Sequence, residues 1–506
     1  MDGMNIKETK DPYKDHMDNM RQGEDCLFLD IQVPDRALKD PSLRLPVVVF
    51  IPGSSFVNGH NDFPHPRLPF YDGDSLIKAS RDEIIYVTFN YRAGAFGFLA
   101  GKTIEEEAVA NVGLWDQRAA FQWVRDHITK LGGNPQQVTA MGHSEGAASI
   151  MFHLTAQSGT LDPLFHRAII LSPYHTPMWD RNGRVEERFR RFATLAGCED
   201  QGLNCLREVE SGILQEANRA LLLEEPNGVF PIGPTPDGDY IRQLPAVELA
   251  YGNVWPIESL ILSHVASETA NFFNPELEKD GGFDEFLHGL LPDYMVNGTF
   301  IDRINEHYPP SVGKRKMVYK SQNERMQMFL RDSCVTCHVR WLLEATGHEN
   351  TWVMRFNFPP PTHGYDLMAM FLYDEHDLSR FENLVLSTLT FFIGAIQDGM
   401  TLGYKSYMTS FIRTGNPNVH RRRWREAFPH MRAKTWRNPE ILTERDHVNA
   451  VLEVHASPIG YFDHVRDKDM PRSQCDFWKS FFVDATLQGN YTLTAELKKL
   501  TGVYDE

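Results

Sequence analysis

The pentapeptide Gly142-His143-Ser144-Glu145-Gly146 constrains this chain more than any other feature. It follows the mostly apolar run Val138 to Met141 and precedes the small-residue stretch Ala147-Ala148-Ser149-Ile150. That order reads as strand, sharp turn and helix start. Glycines on both sides of Ser144 let the backbone reverse and present the hydroxyl at the top of a sheet. A serine alcohol is a poor nucleophile until a base lies beside it, and such a turn leaves room for one. The pattern alone is weak, since a chain of this length meets G-x-S-x-G by chance roughly one time in five to ten. Its alternative reading is a glycine-punctuated strand end.

The surroundings favour the turn. Leu114, Phe121, Val124, Ile128 and Leu131 recur at helical spacing upstream, which predicts an amphipathic helix. Gly132-Gly133-Asn134-Pro135 stops it. Leu45 to Ile51 and Ile84 to Tyr91 are apolar runs. They read as strands buried on both faces, as a parallel sheet requires.

Further motifs lie in order along the chain: Glu24-Asp25-Cys26-Leu27-Phe28-Leu29-Asp30, Asn90-Tyr91-Arg92 through Gly97-Phe98-Leu99, Asn111 to Asn134, Asp237-Gly238-Asp239-Tyr240, and Thr414-Gly415-Asn416-Pro417-Asn418. With the pentapeptide they resemble the type-B carboxylesterase and cholinesterase family of α/β-hydrolases. The resemblance implies an α/β fold with a central, mostly parallel sheet flanked by helices. It implies one carboxylesterase-type domain over residues 24–482, with 1–23 outside the family pattern and 483–506 as a tail.

The family order of nucleophile, acid and histidine then assigns two more residues. Ser267-Glu268-Thr269-Ala270-Asn271-Phe272 follows the expected strand Ser259 to Val265. It is similar to the family's acid motif, which puts Glu268 in the acid's place. Pro361-Thr362-His363-Gly364-Tyr365-Asp366-Leu367 follows the expected strand Trp352 to Phe358. It resembles the histidine motif, which puts His363 in the base's place. In that scheme His363 takes the Ser144 proton and Glu268 orients and stabilises the imidazolium. Taken singly, each would read as a solvated loop residue. The implied activity is hydrolysis of a small carboxylic ester, with no cofactor and no metal.

Three departures stand beside the match. The family's glycine-rich oxyanion segment is here Pro52-Gly53-Ser54-Ser55-Phe56, so the expected hole donors are the N–H groups of Ser54, Ser55 and Glu145. Serine retains an N–H, but at positive φ it costs about 1–2 kcal/mol. A misplaced donor costs roughly 3–4 kcal/mol of transition-state stabilisation. Glu145 replaces the family's alanine. Its charge would oppose a nearby oxyanion, yet a first-turn carboxylate also suits a helix N-terminus. The opening residues Met1 to Lys10 are polar and charged, with no apolar signal region, so a shortened N-terminus is expected. No tryptophan lies near Asp15 to Met17 where the family's choline-binding residue would fall. That points away from a cholinesterase, towards a general esterase or a neuroligin-like, non-catalytic binder of protein partners.

The resemblance further implies disulfides Cys198–Cys205 and Cys337–Cys475, leaving Cys26 and Cys334 over, and a secreted or extracellular setting. Asn297-Gly-Thr and Asn490-Tyr-Thr are sequons compatible with glycosylation there. Cys334-Val-Thr-Cys337-His338 matches the haem-attachment spacing. It lies in an expected helix, Met328 to Leu343, and no second C-x-x-C exists for zinc, so neither haem nor metal is expected. The formal net charge of −17 argues against nucleic acid, whose binding rests on phosphate neutralisation. The run His420 to Arg425 reads as a solvated loop. Leu384 to Ile396, the longest apolar candidate, is too short and too polar to span a membrane and reads as a buried helix.

Overall fold

The computed structural model describes residues 23–53, 55–57, 71–180, 183–224, 230–296, 299–310, 319–371, 400–421, 434–441, 446–456 and 460–488. Ten strands form one sheet among these residues: β1 (Leu29–Gln32), β2 (Leu45–Ile51), β3 (Ile85–Phe89), β4 (Gly133–His143), β5 (Arg167–Leu171), β6 (Ser259–Val265), β7 (Thr351–Asn357), β8 (Glu440–Ile441), β9 (Val448–His455) and β10 (Phe462–Asp467). Their spatial order is β1-β3-β2-β4-β5-β6-β7-β9-β10, with β8 also on β9. Neighbours from β3 through β9 are parallel. The antiparallel pairs, β1 on β3 and β8 and β10 on β9, lie towards the two edges.

The continuous apolarity of β2 and β3 has its cause here. Successive side chains of a strand point to opposite faces, and both faces are covered. Val47, Val49 and Ile51 enter one core with Leu114, Phe121 and Val124 of the helix Val112–His127. Val48 and Phe50 enter the other with Tyr404, Met408 and Phe411 of the helix Met400–Thr414. The predicted helix ends as expected: a 3-10 turn, Ile128–Leu131, closes on Gly132 at φ +79°, and β4 begins at the next residue.

Both implied disulfides are present, Cys198–Cys205 and Cys337–Cys475. The second ties the helix Cys337–Thr346 to the helix Arg472–Gln488 across 138 residues of chain. Cys337 therefore has no thiol to offer haem or metal, and Cys26 and Cys334 are free. Among the described residues no His, Cys, Asp and Glu cluster could hold a metal ion. No helix there is long and apolar enough to cross a membrane. Leu384 to Ile396, both sequons and most of the His420 to Arg425 run lie outside the described residues.

Candidate active site

The site is built where β4 runs into the helix Glu145–Gly159. Ser144 sits at the junction with φ +56° and ψ −124°, a conformation L-residues rarely adopt. The two motif glycines make it attainable. A Cβ on Gly146 would lie 2.1 Å from the Ile51 carbonyl oxygen, and one on Gly142 would lie 2.4 Å from the Gly146 carbonyl oxygen. Any side chain at either place would force strand and helix apart. The Ser144 N–H donates to the Leu171 carbonyl at 2.9 Å, and the Ser144 carbonyl accepts from Tyr174 N–H at 3.2 Å.

Glu268 and His363 arrive from β6 and β7, beyond β5 on the same side of β4. Glu268 follows β6, and its Oε1 accepts from the Val265 N–H at 2.7 Å. His363 lies in the connection after β7. The two connections are stitched together, with Ser267 paired to Thr362 and the Ser267 N–H donating to the Pro361 carbonyl at 2.9 Å. The structure brings the three assigned residues into one chain of contacts. His363 Nε2 lies 2.7 Å from Ser144 Oγ, and His363 Nδ1 lies 2.6 Å from Glu268 Oε2. Glu268 is fully buried and the His363 side chain is 19% exposed, so the chain opens to solvent at the histidine and not at the acid. Burial pulls the His363 imidazole down, but the adjoining Glu268 carboxylate outweighs it and raises the pKa above the ordinary value. Tyr174 packs its ring 6.0 Å from His363 and walls the site with Phe230 and Phe272.

The segment between β2 and β3 differs from an all-glycine turn in a measurable way. Ser55 has φ +62° and Phe56 φ +57°. Each costs about 1–2 kcal/mol in an L-residue, so this conformation is held by its surroundings. The Phe56 carbonyl accepts from Gly94 N–H at 2.6 Å, and the Phe56 ring meets Phe98 edge-on at 5.0 Å. Ser54 lies outside the described residues. Glu145 opens its helix, where the N–H has no acceptor within the helix.

The Glu145 side chain is buried, with Oε2 3.4 Å from where a Cβ on Gly53 would sit. Burial first, and then this carboxylate, raise the phenols of Tyr71 and Tyr91. The same charge favours a protonated His363. An anion near both an oxyanion and an imidazolium repels one and attracts the other. Each effect is about 3 kcal/mol at ~5 Å and an effective dielectric near 20, so they largely offset. Glu145→Gln is therefore expected to leave plateau kcat within about tenfold and to move the acid limb of kcat/KM to lower pH. An unmoved limb in a pH–rate series would refute this.

Two neighbours were assigned no role from the sequence. His143 packs its ring 4.7 Å from that of His363, and its Nε2 lies 3.7 Å from Asp366 Oδ1. Both are buried; that nitrogen has no hydrogen-bond partner, and the Asp366 carboxyl has no side-chain donor, only the backbone N–H groups of Asp366 and Leu367. Burial, then repulsion from Glu268, pushes Asp366 up to about 7. Burial, then His363, holds His143 well below the ordinary histidine value. The sequence signal for these two was their place inside the serine and histidine motifs. Spacing could not show that both are dry.

Comparisons with known proteins agree with the fold. A sequence model of the carboxylesterase family matches residues 4–454. A secreted lipase of Arthroderma benhamiae is 34% identical over 472 residues, covering 92% of this chain and 85% of that protein. The para-nitrobenzyl esterase of Bacillus subtilis is 28% identical over 84% of this chain and 81% of its own length. Among solved structures, Aspergillus niger EstA superposes with a TM-score of 0.70 at 25% identity, over 92% of this chain and 86% of that one. The α/β-hydrolase architecture, the serine turn and a family match across most of the chain lead to one assignment: this chain belongs to the carboxylesterase family.

Proposed function

We propose that the protein is a serine carboxylic ester hydrolase working through an acyl-enzyme intermediate. The observation that carries this reading is the unbroken contact chain from Ser144 through His363 to the buried Glu268. Ser144 Oγ attacks the ester carbonyl while His363 Nε2 takes its proton. The resulting oxyanion is assigned to the N–H groups of Ser54, Ser55 and Glu145. Collapse expels the alcohol, which takes the proton from His363, and leaves an acyl-Ser144 ester. Water, deprotonated by His363, then releases the acid and restores Ser144. Glu268 carries the charge that stabilises the imidazolium in both halves.

Relatives named as lipase and esterase support an ester as the substrate class. A secreted setting is supported by the secreted lipase and by two disulfides, since disulfides persist in oxidising compartments. In that setting Asn297 and Asn490 are proposed glycosylation sites. The second reading is a silent family member that binds a protein partner. Its specific support is the positive φ at Ser55 and Phe56, a price for shape that an all-glycine segment would avoid.

A fluorophosphonate probe separates the two, because it labels only a serine activated by its base and hole. Folded protein is expected to label, and Ser144→Ala is expected to abolish the signal. Folded wild type that stays unlabelled would overturn the hydrolase reading in favour of the binder.

A further inference from the structure

Four residues before the catalytic acid lies another buried histidine. His264 is the penultimate residue of β6 and is fully buried. Its Nε2 lies 2.6 Å from Asp467 Oδ2, and its Nδ1 lies 3.1 Å from the Val265 carbonyl oxygen. A carbonyl and a carboxylate oxygen can only accept. A neutral imidazole owns one N–H, so it would leave one ring lone pair facing an oxygen lone pair. Two acceptors demand two N–H groups, which is the imidazolium. Asp467 is fitted to be its anion, since Oδ1 accepts from the Asp469 N–H at 2.8 Å.

Val265 links this pair to the catalytic acid. His264 binds the Val265 carbonyl, and the Val265 N–H binds Glu268 Oε1. The pair is not an isolated charge. Asp469 accepts from Arg355 of β7 at 2.6 Å and lies 3.8 Å from Arg331. Arg355 also bridges to Glu453 of β9, and Arg331 to the buried Asp332. The groups that favour the His264 cation against its burial are Asp467, Asp469 and Glu268, in that order. Its attraction to Glu268 is mutual.

We infer that His264 is a positioning residue for Glu268: an imidazolium, fixed by Asp467 of β10, that clamps the end of β6 and sets a positive charge near the catalytic carboxylate at neutral pH. This rests on the triad reading above. The charge has a directional consequence. A cation near Glu268 opposes a second cation on His363, so it keeps His363 available as a base at lower pH. The chain from β10 thus tunes the triad from a place the substrate never touches.

The test uses the whole chain and the fluorophosphonate labelling rate, measured from about pH 5 to 9. His264→Gln, shown folded by near-UV circular dichroism, is expected to label roughly ten- to a hundredfold more slowly near neutrality. Its acid limb is expected to move to higher pH. A folded His264→Gln with the wild-type rate and limb overturns the inference. So does a uniform loss with an unmoved limb, which marks a merely structural residue. Nitrogen-15 spectra of the His264 ring in wild type provide a readout that needs no activity: two protonated nitrogens near pH 7 are expected, and a neutral ring overturns the inference. Unlabelled wild type with a cationic His264 would instead sink the hydrolase reading.

Discussion

Replacing His363 with alanine is expected to lower kcat for a simple ester by about 10⁶-fold while leaving the protein folded. The size follows from the geometry. Ser144 has a single candidate base at 2.7 Å, and that base has a buried carboxylate at 2.6 Å on its other nitrogen. Without the imidazole, the Ser144 hydroxyl must lose its proton to solvent. The alcohol product must also leave unprotonated. The double variant Ser144→Ala/His363→Ala is expected to be no worse than either single, because the three residues act as one unit. Residual rate enhancement of about 10³–10⁴ over water would then report what the Ser55 and Glu145 region contributes by binding alone. Hydrolysis of a chromogenic ester measures all three. A His363→Ala variant within a hundredfold of wild type would mean that Ser144 is not activated through this histidine.

The second large effect concerns stability and comes from Asp366. Its carboxyl is fully buried, has only the backbone N–H groups of its own turn, at Asp366 and Leu367, to favour its charge beside His363, and is pushed up to about 7 by burial and then by Glu268. Unfolded, it titrates near its ordinary value of 3.8. The folded state therefore holds a proton that the unfolded state has released between those values. Stability is highest below the unfolded value and is lost as pH rises through about 7. At about 1.4 kcal/mol per pH unit, the full difference is roughly 4 kcal/mol above neutrality. Asp366→Asn keeps the shape and cannot ionise. Its stability relative to wild type is expected to rise by about 2–4 kcal/mol between pH 5 and pH 8 in urea titrations. A difference that stays constant across that range would show that Asp366 is not neutral in the fold.

These shifts make the site's pH response a sum of opposed charges. Glu268 and Glu145 favour the His363 imidazolium, and burial disfavours it. The proposed His264 cation adds to the opposing side. Variants on the two sides are expected to move one limb in opposite directions, which a single loss of packing would not do.

Much of this was legible along the chain, for a physical reason. A parallel strand buried on both faces reads as a largely apolar run, so β2 matched its predicted span of Leu45–Ile51, and β6 matched its predicted span of Ser259–Val265 although it buries Ser263 and His264. A strand that turns at once into a helix needs glycine wherever the two backbones touch, so the serine turn was visible as Gly142 and Gly146. The proposed triad residues could be named because the segments holding Ser144, Glu268 and His363 resemble the family's serine, acid and histidine motifs. The sign of φ at Ser55 could not be named, since it depends on Gly94 and Phe98 closing over the segment. Nor could His143, Asp366, His264 and Asp467 be singled out. Their chemistry comes from burial and from partners far away in sequence, as with the 203 residues between His264 and Asp467. Local pattern determines which elements form and where a nucleophile can stand. Dielectric, charge pairing and the direction of a carboxylate are properties of the surroundings, and only the tertiary structure assembles those.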